Sequence, residues 1–158
     1  MKRFFVSSAV GVLLAFSANC VLADDGLSAR AILGGSPFAV ANYGPNVVKG
    51  VAVLTSGEGG GSTSVIVKIS GLKPGTTHIG HIHGGTCAQL AVGTILQNLT
   101  PVTINASGEG SSQTKVYADL RGLTDCAWWI AVHEGPENAS PQTPAVAIAP
   151  VIIDRASR

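Results

Sequence analysis

The stretch Thr63-Ser64-Val65-Ile66-Val67-Lys68-Ile69-Ser70 decides the fold class of this protein. Its apolar residues Val65, Val67 and Ile69 fall on one side of an extended chain, and its polar residues fall largely on the other. Such alternation is typical of a β-strand with one buried face. The stretch therefore predicts one strand of a sheet whose other strands must lie elsewhere in the chain.

Working outward, similar short segments rich in Val, Ile and Thr recur along the chain, separated by Gly, Pro, Asn and Ser. They predict strands at 29–33, 47–54, 63–70, 78–83, 111–120, 128–133 and 145–153, with turns at 57–61, 73–75 and 105–110. No segment has apolar residues at helical spacing over three turns. The pattern predicts an all-β fold with little helix, a Greek-key antiparallel β-barrel or sandwich of about eight strands.

The N-terminus has the order of a secretory signal peptide. Lys2 and Arg3 precede a nearly continuous apolar run, and residues 21–23 are small or short residues suited to a cleavage site. We therefore expect residues 1–23 to be the signal peptide and residues 24–158 to form the barrel domain, in a secreted or periplasmic protein. A lipoprotein, with Cys20 as its first mature residue, is the alternative, although Asn19 is a poor match for that signal.

The composition of the mature chain excludes several classes of protein. Removal of Lys2 and Arg3 from the 10 basic residues leaves 8, against 9 acidic residues, which argues against a strongly basic nucleic-acid binder. Over the full sequence of 158 residues, a hydrophobic content of 46% and a mean hydropathy of +0.37 argue against a disordered chain. No later stretch approaches 18 uninterrupted apolar residues, so we expect no membrane span.

The cysteines also indicate an exported protein. Of the 3 cysteines, Cys20 would leave with the signal peptide, and Cys87 and Cys126 would remain. Two cysteines in an exported protein most simply form one disulfide. The alternative is a pair of buried free thiols.

Three of the 4 histidines predict a metal site. His81 and His83 share a face of a strand, about 6–7 Å apart, and Ile82 points the other way. His133 ends a second apolar strand. If the two strands are neighbours, three imidazoles converge outside the sheet, and imidazole suits copper and zinc. The alternative is that these histidines are ordinary solvated surface residues.

These segments resemble the copper,zinc superoxide dismutases. Residues 71–83, which read Gly-Leu, a turn and then His-Ile-Gly-His-Ile-His, resemble the first copper-ligand strand of that family. Val132-His133-Glu134 is similar to its late copper-ligand segment, residues 84–87 to its disulfide region and residues 147–152 to its final strand. The resemblance covers nearly the whole mature chain, and its compact form is most similar to exported bacterial superoxide-dismutase-like or chordin-domain-like proteins.

The resemblance implies a role for each histidine. His81, His83 and His133 would be the ligands of one copper ion and the catalytic residues, and His78 would be a structural histidine that binds no metal. Cys87 falls at the position of the family's disulfide cysteine.

The departures from the family pattern are equally informative. No histidine lies between His83 and His133, so the zinc site and the bridging histidine are expected to be absent; Asp119 and Asp125 are the only acids at a loosely similar place. Ala147 stands where the family has its anion-guiding arginine. Pro150 stands where it has its second disulfide cysteine, so Cys126 would pair with Cys87.

Together these observations predict an exported copper-binding superoxide dismutase-like protein. It would convert superoxide slowly to oxygen and hydrogen peroxide, with superoxide or the copper ion as its partner. Two alternatives remain open: a copper-binding or copper-buffering protein without catalysis, and a structural barrel without metal. Zinc is a chemically reasonable occupant of the same three-histidine site.

Overall fold

A computed structural model of the protein describes residues 27–88, 93–135 and 143–154. The predicted signal peptide lies outside these residues. The described chain contains nine strands and one helix, in the order β1 (Ser28–Gly35), α1 (Pro37–Tyr43), β2 (Lys49–Ser56), β3 (Thr63–Ser70), β4 (Thr77–Gly84), β5 (Ile95–Thr103), β6 (Glu109–Val116), β7 (Trp128–His133), β8 (Ala145–Pro150) and β9 (Ile152–Asp154).

The strands form a nearly closed antiparallel barrel. Neighbours follow the order β5-β4-β7-β8-β1-β2-β3-β6, and β9 pairs with β1. The two end strands, β5 and β6, meet through side chains: the Thr100 amide donates to Thr114 Oγ1 at 2.7 Å, and the Thr114 hydroxyl donates to Thr100 Oγ1 at 3.1 Å. The connections β3–β4 and β6–β7 join strands that are not neighbours, as in a Greek key. The predicted all-β barrel is confirmed.

The core lies inside the barrel and uses the inward side of each strand. On β3, Val65, Val67 and Ile69 are buried, as their alternation predicts. Ile82 of β4 and Ile130 of β7 are wholly buried opposite them in the same hydrophobic cluster. Because these strands bury their apolar residues inward, the side chains between them point outward, and this places the histidines on the outer surface of the sheet.

One glycine sets the path by which the chain crosses from β3 to β4. Gly71 has a φ of 84°, and a Cβ atom there would lie 2.0 Å from the carbonyl oxygen of Val47. Only glycine fits so close to a backbone oxygen in this conformation. The next residue, Leu72, then enters the core.

Strand β5 was not predicted from the sequence. Its pairing with β4 contains two register shifts, so its inward residues Leu99 and Val102 do not alternate regularly. Pro101 and a run of polar residues lower the β-propensity further. The strand forms nonetheless because it lies at an edge of the main-chain ladder, where bulges and a proline are tolerated.

Helix α1 was also not predicted, because a helix this short carries no periodicity. Its signals are at its ends. Ser36 Oγ accepts a hydrogen bond from the Ala39 amide at 3.1 Å, Pro37 occupies the first turn, and Gly44 ends the helix with a φ of 98°. These are the capping preferences of helices in general.

Two predicted strands differ from the structure by more than two residues at one end. The strand predicted at 111–120 corresponds to β6, which ends earlier, at Val116. The chain then crosses towards β7. The segment at 145–153 divides into β8 and β9 at Val151, whose amide bonds instead to the Trp128 carbonyl at 2.8 Å. Within the described ranges, no helix combines the length and apolar character needed to cross a membrane.

Candidate metal centre

Strands β4 and β7 are hydrogen-bonded neighbours, and this pairing brings the three predicted ligands together. In the register of the pair, His81 lies opposite Ala131 and His83 lies opposite Trp129. His133 is the last residue of β7 and is on the same side of the sheet. The three histidines are only 6–7% exposed, so they are buried side chains and not solvated surface residues.

The three imidazole rings form a compact group. Their centroids are separated by 5.7 Å for His81 and His83, 5.0 Å for His81 and His133, and 6.1 Å for His83 and His133. One nitrogen from each ring lies within 4.8 Å of the other two. Two imidazole nitrogens on opposite sides of one metal ion are about 4 Å apart, so small side-chain movements would let all three bind the same ion.

On each ring, one nitrogen atom is buried and has no hydrogen-bond partner among the described residues. These atoms are Nδ1 of His81 and Nε2 of both His83 and His133. A buried polar atom without a hydrogen bond is costly unless something else binds it. Three such atoms in one group fit a metal ion well, since each provides a lone pair.

Backbone carbonyls hold two of the rings in the tautomer that binding requires. Nδ1–H of His83 donates to the Gly93 carbonyl at 3.0 Å, and Nδ1–H of His133 donates to the Thr143 carbonyl at 2.7 Å. The proton therefore stays on Nδ1, and the lone pair is on Nε2. Carbonyl partners of this kind orient histidine ligands in metalloproteins generally.

The electrostatics of the group favour neutral rings. Burial is the main cause that lowers the pKa of His81 to about 4, and repulsion from His133 and His83 lowers it further. The pKa of His133 is also lowered by burial and by His83, against the opposing effect of the Thr143 carbonyl. Neutral imidazole is the form that binds metal, so these rings are ready to bind near neutral pH.

His78 lies outside this group. It is 1% exposed, its Nδ1–H donates to the His133 carbonyl at 2.9 Å, and its Nε2 is 2.8 Å from the Thr76 hydroxyl. Both of its ring nitrogens are therefore occupied by protein atoms. The residue braces the backbone of the third ligand, in agreement with the structural role expected of it.

The predicted disulfide is present between Cys87 and Cys126, whose Cα atoms are 4.9 Å apart. Cys87 follows β4 and Cys126 precedes β7, so the bond fastens the two ligand strands at one end. The Cys126 amide donates to the Val151 carbonyl at 2.8 Å. This hydrogen bond places the disulfide at the corner of the barrel beside Pro150. The family resemblance places the second cysteine at the position of Pro150.

The two acidic side chains at a place loosely similar to the family's zinc site accept hydrogen bonds from backbone amides. Asp119 accepts hydrogen bonds from the Arg121 and Gly61 amides, and Asp125 accepts one from the Ile153 amide. Across residues 27–88, 93–135 and 143–154, the three histidines form the one cluster of three or more metal-ligating side chains. The absence of a zinc site remains a prediction.

Several neighbours of the site could not be inferred from the sequence. Trp129 is 3% exposed beside His83, and its indole packs against Gly85, where a Cβ atom would lie 2.8 Å from Nε1. Tyr43, at the end of α1, is hydrogen-bonded to Glu134, the residue after the third ligand. The only sequence signal for these contacts is that Trp129 and Glu134 lie close to His133.

A cavity on the opposite half of the barrel lies away from the three histidines. It has a volume of about 490 Å³, is lined by residues of β2, β3 and β6 such as Lys49, Lys68 and Glu109, and contains no histidine. The candidate metal site is therefore separate from this cavity.

No protein-family model matches the chain. No curated protein matches it either.

Proposed function

We propose that this protein binds one copper ion through His81, His83 and His133 and dismutates superoxide slowly at that ion. The observation that carries the proposal is that one ring nitrogen from each histidine lies within 4.8 Å of the other two. Each of the three rings also has a buried nitrogen without a hydrogen-bond partner among the described residues. Copper(II) is bound more tightly by nitrogen ligands than the other divalent first-row metals. The sequence resemblance to copper,zinc superoxide dismutases adds the activity.

The protein residues hold the ion and keep its ligands deprotonated. The Gly93 and Thr143 carbonyls fix the Nδ1–H tautomers of His83 and His133. Burial, together with repulsion from neighbouring imidazoles, lowers the pKa of His81 and of His133 and so favours their neutral forms near pH 7. Copper would supply reversible one-electron chemistry, so that two superoxide ions and two protons yield one oxygen and one hydrogen peroxide molecule.

The expected rate is modest because Ala147 stands where an anion-guiding arginine is expected. Ala147 is wholly buried and pairs with Val132. It therefore provides no positive charge to attract the superoxide anion, and electrostatic steering of that kind can raise association rates by 10-fold or more. Superoxide would reach the site by unassisted diffusion.

The same burial supports a second candidate function, copper binding without catalysis. Ligands that are only 6–7% exposed suit retention of an ion as well as reaction at it. The two functions differ in one measurable property, the loss of superoxide in the presence of the copper-loaded protein.

The test uses the mature protein purified without added metal and then titrated separately with Cu(II) and Zn(II). We expect one Cu(II) per chain, preferred over Zn(II), and a copper-dependent loss of superoxide that is much weaker in His83→Ala. Stoichiometric copper binding with no effect on superoxide would select the second function. A chain that binds neither metal would contradict both and leave a structural barrel.

A further inference from the structure

Helix α1 is attached at both ends to the base of the loop that follows the third ligand. At its N-terminal end, the Ser36 amide donates to the Val146 carbonyl at 3.1 Å, and the Ser36 hydroxyl donates to the Ala145 carbonyl. At its C-terminal end, the Tyr43 hydroxyl lies 2.9 and 2.8 Å from the two carboxylate oxygens of Glu134. The helix thus spans the two sides of this loop.

The base of the loop also carries the contact that orients His133. The Glu134 amide donates to the Pro144 carbonyl at 2.9 Å. The preceding carbonyl in the chain, that of Thr143, accepts the Nδ1–H of His133 at 2.7 Å. His133 and Glu134 are adjacent in the chain, as are Thr143 and Pro144, and each of the two bonds joins one residue of the first pair to one of the second. A shift of Glu134 would therefore move the Thr143 carbonyl relative to the His133 ring.

We propose that Tyr43 is a positioning residue for the metal centre: through Glu134 it holds the Thr143 carbonyl against Nδ1 of His133 and so keeps Nε2 directed at the metal. This inference rests on the proposed function, because it concerns the third ligand of that centre. The proposal gives a role to helix α1, although none of the three histidines lies on that helix.

Two further facts agree with this role. Tyr43 packs against the hydrophobic core, so its ring is anchored and its hydroxyl has a fixed place. Burial, the hydrogen bond to Glu134 and the charge of Glu134 together raise the pKa of Tyr43 to about 12. The phenol therefore remains a donor over the whole range in which the protein would work.

The central experiment is carried out on the metal-free protein, so it does not depend on copper or activity. Nitrogen NMR of the His133 ring at pH 7 should show one tautomer, with the proton on Nδ1 exchanging slowly with water. In Tyr43→Phe we expect a mixture of tautomers and faster exchange of that proton. Tyr117→Phe is the matched control, since the hydroxyl of Tyr117, the second of the 2 tyrosines, belongs to a residue that is 82% exposed.

Copper affinity supplies the second readout. Loss of a partner around a metal ligand typically costs 10–100-fold in affinity, and for Tyr43, which acts through Glu134, we expect about tenfold. The copper EPR spectrum of Tyr43→Phe should change as well, whereas that of Tyr117→Phe should match the parent protein. A wild-type chain that fails to bind copper would overturn the proposed function, but the His133 tautomer would still decide the role of Tyr43.

A second pair of variants covers the case in which Tyr43→Phe does not fold. Glu134→Gln keeps a side-chain oxygen that accepts from Tyr43 and should retain the single tautomer, while Glu134→Ala should lose it. Glu58→Ala, an exposed acid in the β2–β3 hairpin, is the control for a lost carboxylate. An unchanged His133 tautomer and exchange rate in Tyr43→Phe or Glu134→Ala would overturn the positioning role.

Discussion

The three histidines of the candidate site leave different ring nitrogens unpartnered among the described residues because they occupy different positions on their strands. His83 and His133 lie at or near strand ends, and each is met by a carbonyl 10 residues further along the chain, which occupies Nδ1 and leaves Nε2 free. His81 lies within β4, and its Nδ1 is buried without a hydrogen-bond partner among the described residues. The i, i+2 spacing predicted the shared face, but it could not predict these carbonyls, which depend on how the loops fold back.

Replacing His83 by Ala should lower the copper affinity by at least 100-fold, because two imidazoles remain where three were available. The side chain lies outside the barrel, so the free energy of unfolding should fall by only about 1 kcal/mol, the effect of the lost bond to Gly93. Competition titration with a copper chelator and urea unfolding measure the two quantities. Asn98→Ala changes an exposed residue paired with His81 and is the control; an unchanged affinity in His83→Ala would exclude the site.

The lowered pKa of His81 predicts that the metal-free protein loses stability in mild acid. An unfolded histidine has a pKa of about 6.5, and in the folded protein that of His81 is about 4. Between these values the unfolded chain binds a proton that the folded protein does not. This contribution to stability is therefore complete above pH 6.5 and is lost as the pH falls towards 4, up to roughly 3 kcal/mol.

Urea unfolding in EDTA at pH 7.5 and pH 4.5 measures this effect. The difference between the two pH values should be smaller in His81→Gln, which cannot titrate, than in the parent protein. His133, whose pKa is lowered in the same direction, keeps part of the effect in that variant. Equal differences in the two proteins would contradict the shift.

Strands in which apolar and polar residues alternate strongly could be predicted from the sequence. Elements that depend on their end caps or on irregular pairing with another strand could not. Strand β3 shows its buried face directly in Val65, Val67 and Ile69. Strand β5 owes its place to a bulged pairing with β4, which no local pattern records. Helix α1 is specified by its caps at Ser36 and Gly44. Its 7 residues are too few to show a helical repeat of apolar residues, so the sequence pattern did not predict it.

The disulfide is the covalent link between the two ligand strands. It closes a loop over a sequence separation of 39 residues, for which the chain-entropy estimate is about 4 kcal/mol. The variant Cys87→Ser/Cys126→Ser should therefore unfold at clearly lower urea concentration than the parent. Dithiothreitol should lower the parent to the same midpoint and leave the variant unchanged, and two titratable thiols in the unreduced native protein would contradict the bond.

At the scale of the whole molecule, the barrel has one half that carries the site and one that does not. All three histidines of the candidate site come from β4 and β7, while β1, β2, β3 and β6 contribute none to it. The halves meet at β8–β1 through main-chain bonds and at β5–β6 through side chains. The side-chain seam is the weaker closure, because each of its bonds involves at least one threonine hydroxyl.

Thr114→Val should loosen this seam, because its hydroxyl both accepts from the Thr100 amide and donates to Thr100 Oγ1. We expect a loss of about 1 kcal/mol in unfolding free energy and faster hydrogen exchange at the Thr100 amide. Thr55→Val, on the exposed side of β2, is the matched control and should change neither. Unaltered exchange at Thr100 in Thr114→Val would show that the seam is held in another way.

Trp129 is buried and pairs with His83 across strands β4 and β7. Its fluorescence should therefore report whether the three-histidine site holds a metal ion. Cu(II) carries an unpaired electron and quenches the fluorescence of a nearby excited indole, whereas Zn(II), with a filled d shell, does not. Emission should therefore fall in step with copper loading, remain bright with zinc, and respond far less in Trp129→Phe, where only Trp128 is left to emit. The metal that the protein selects from a mixture could then be read from the light it emits.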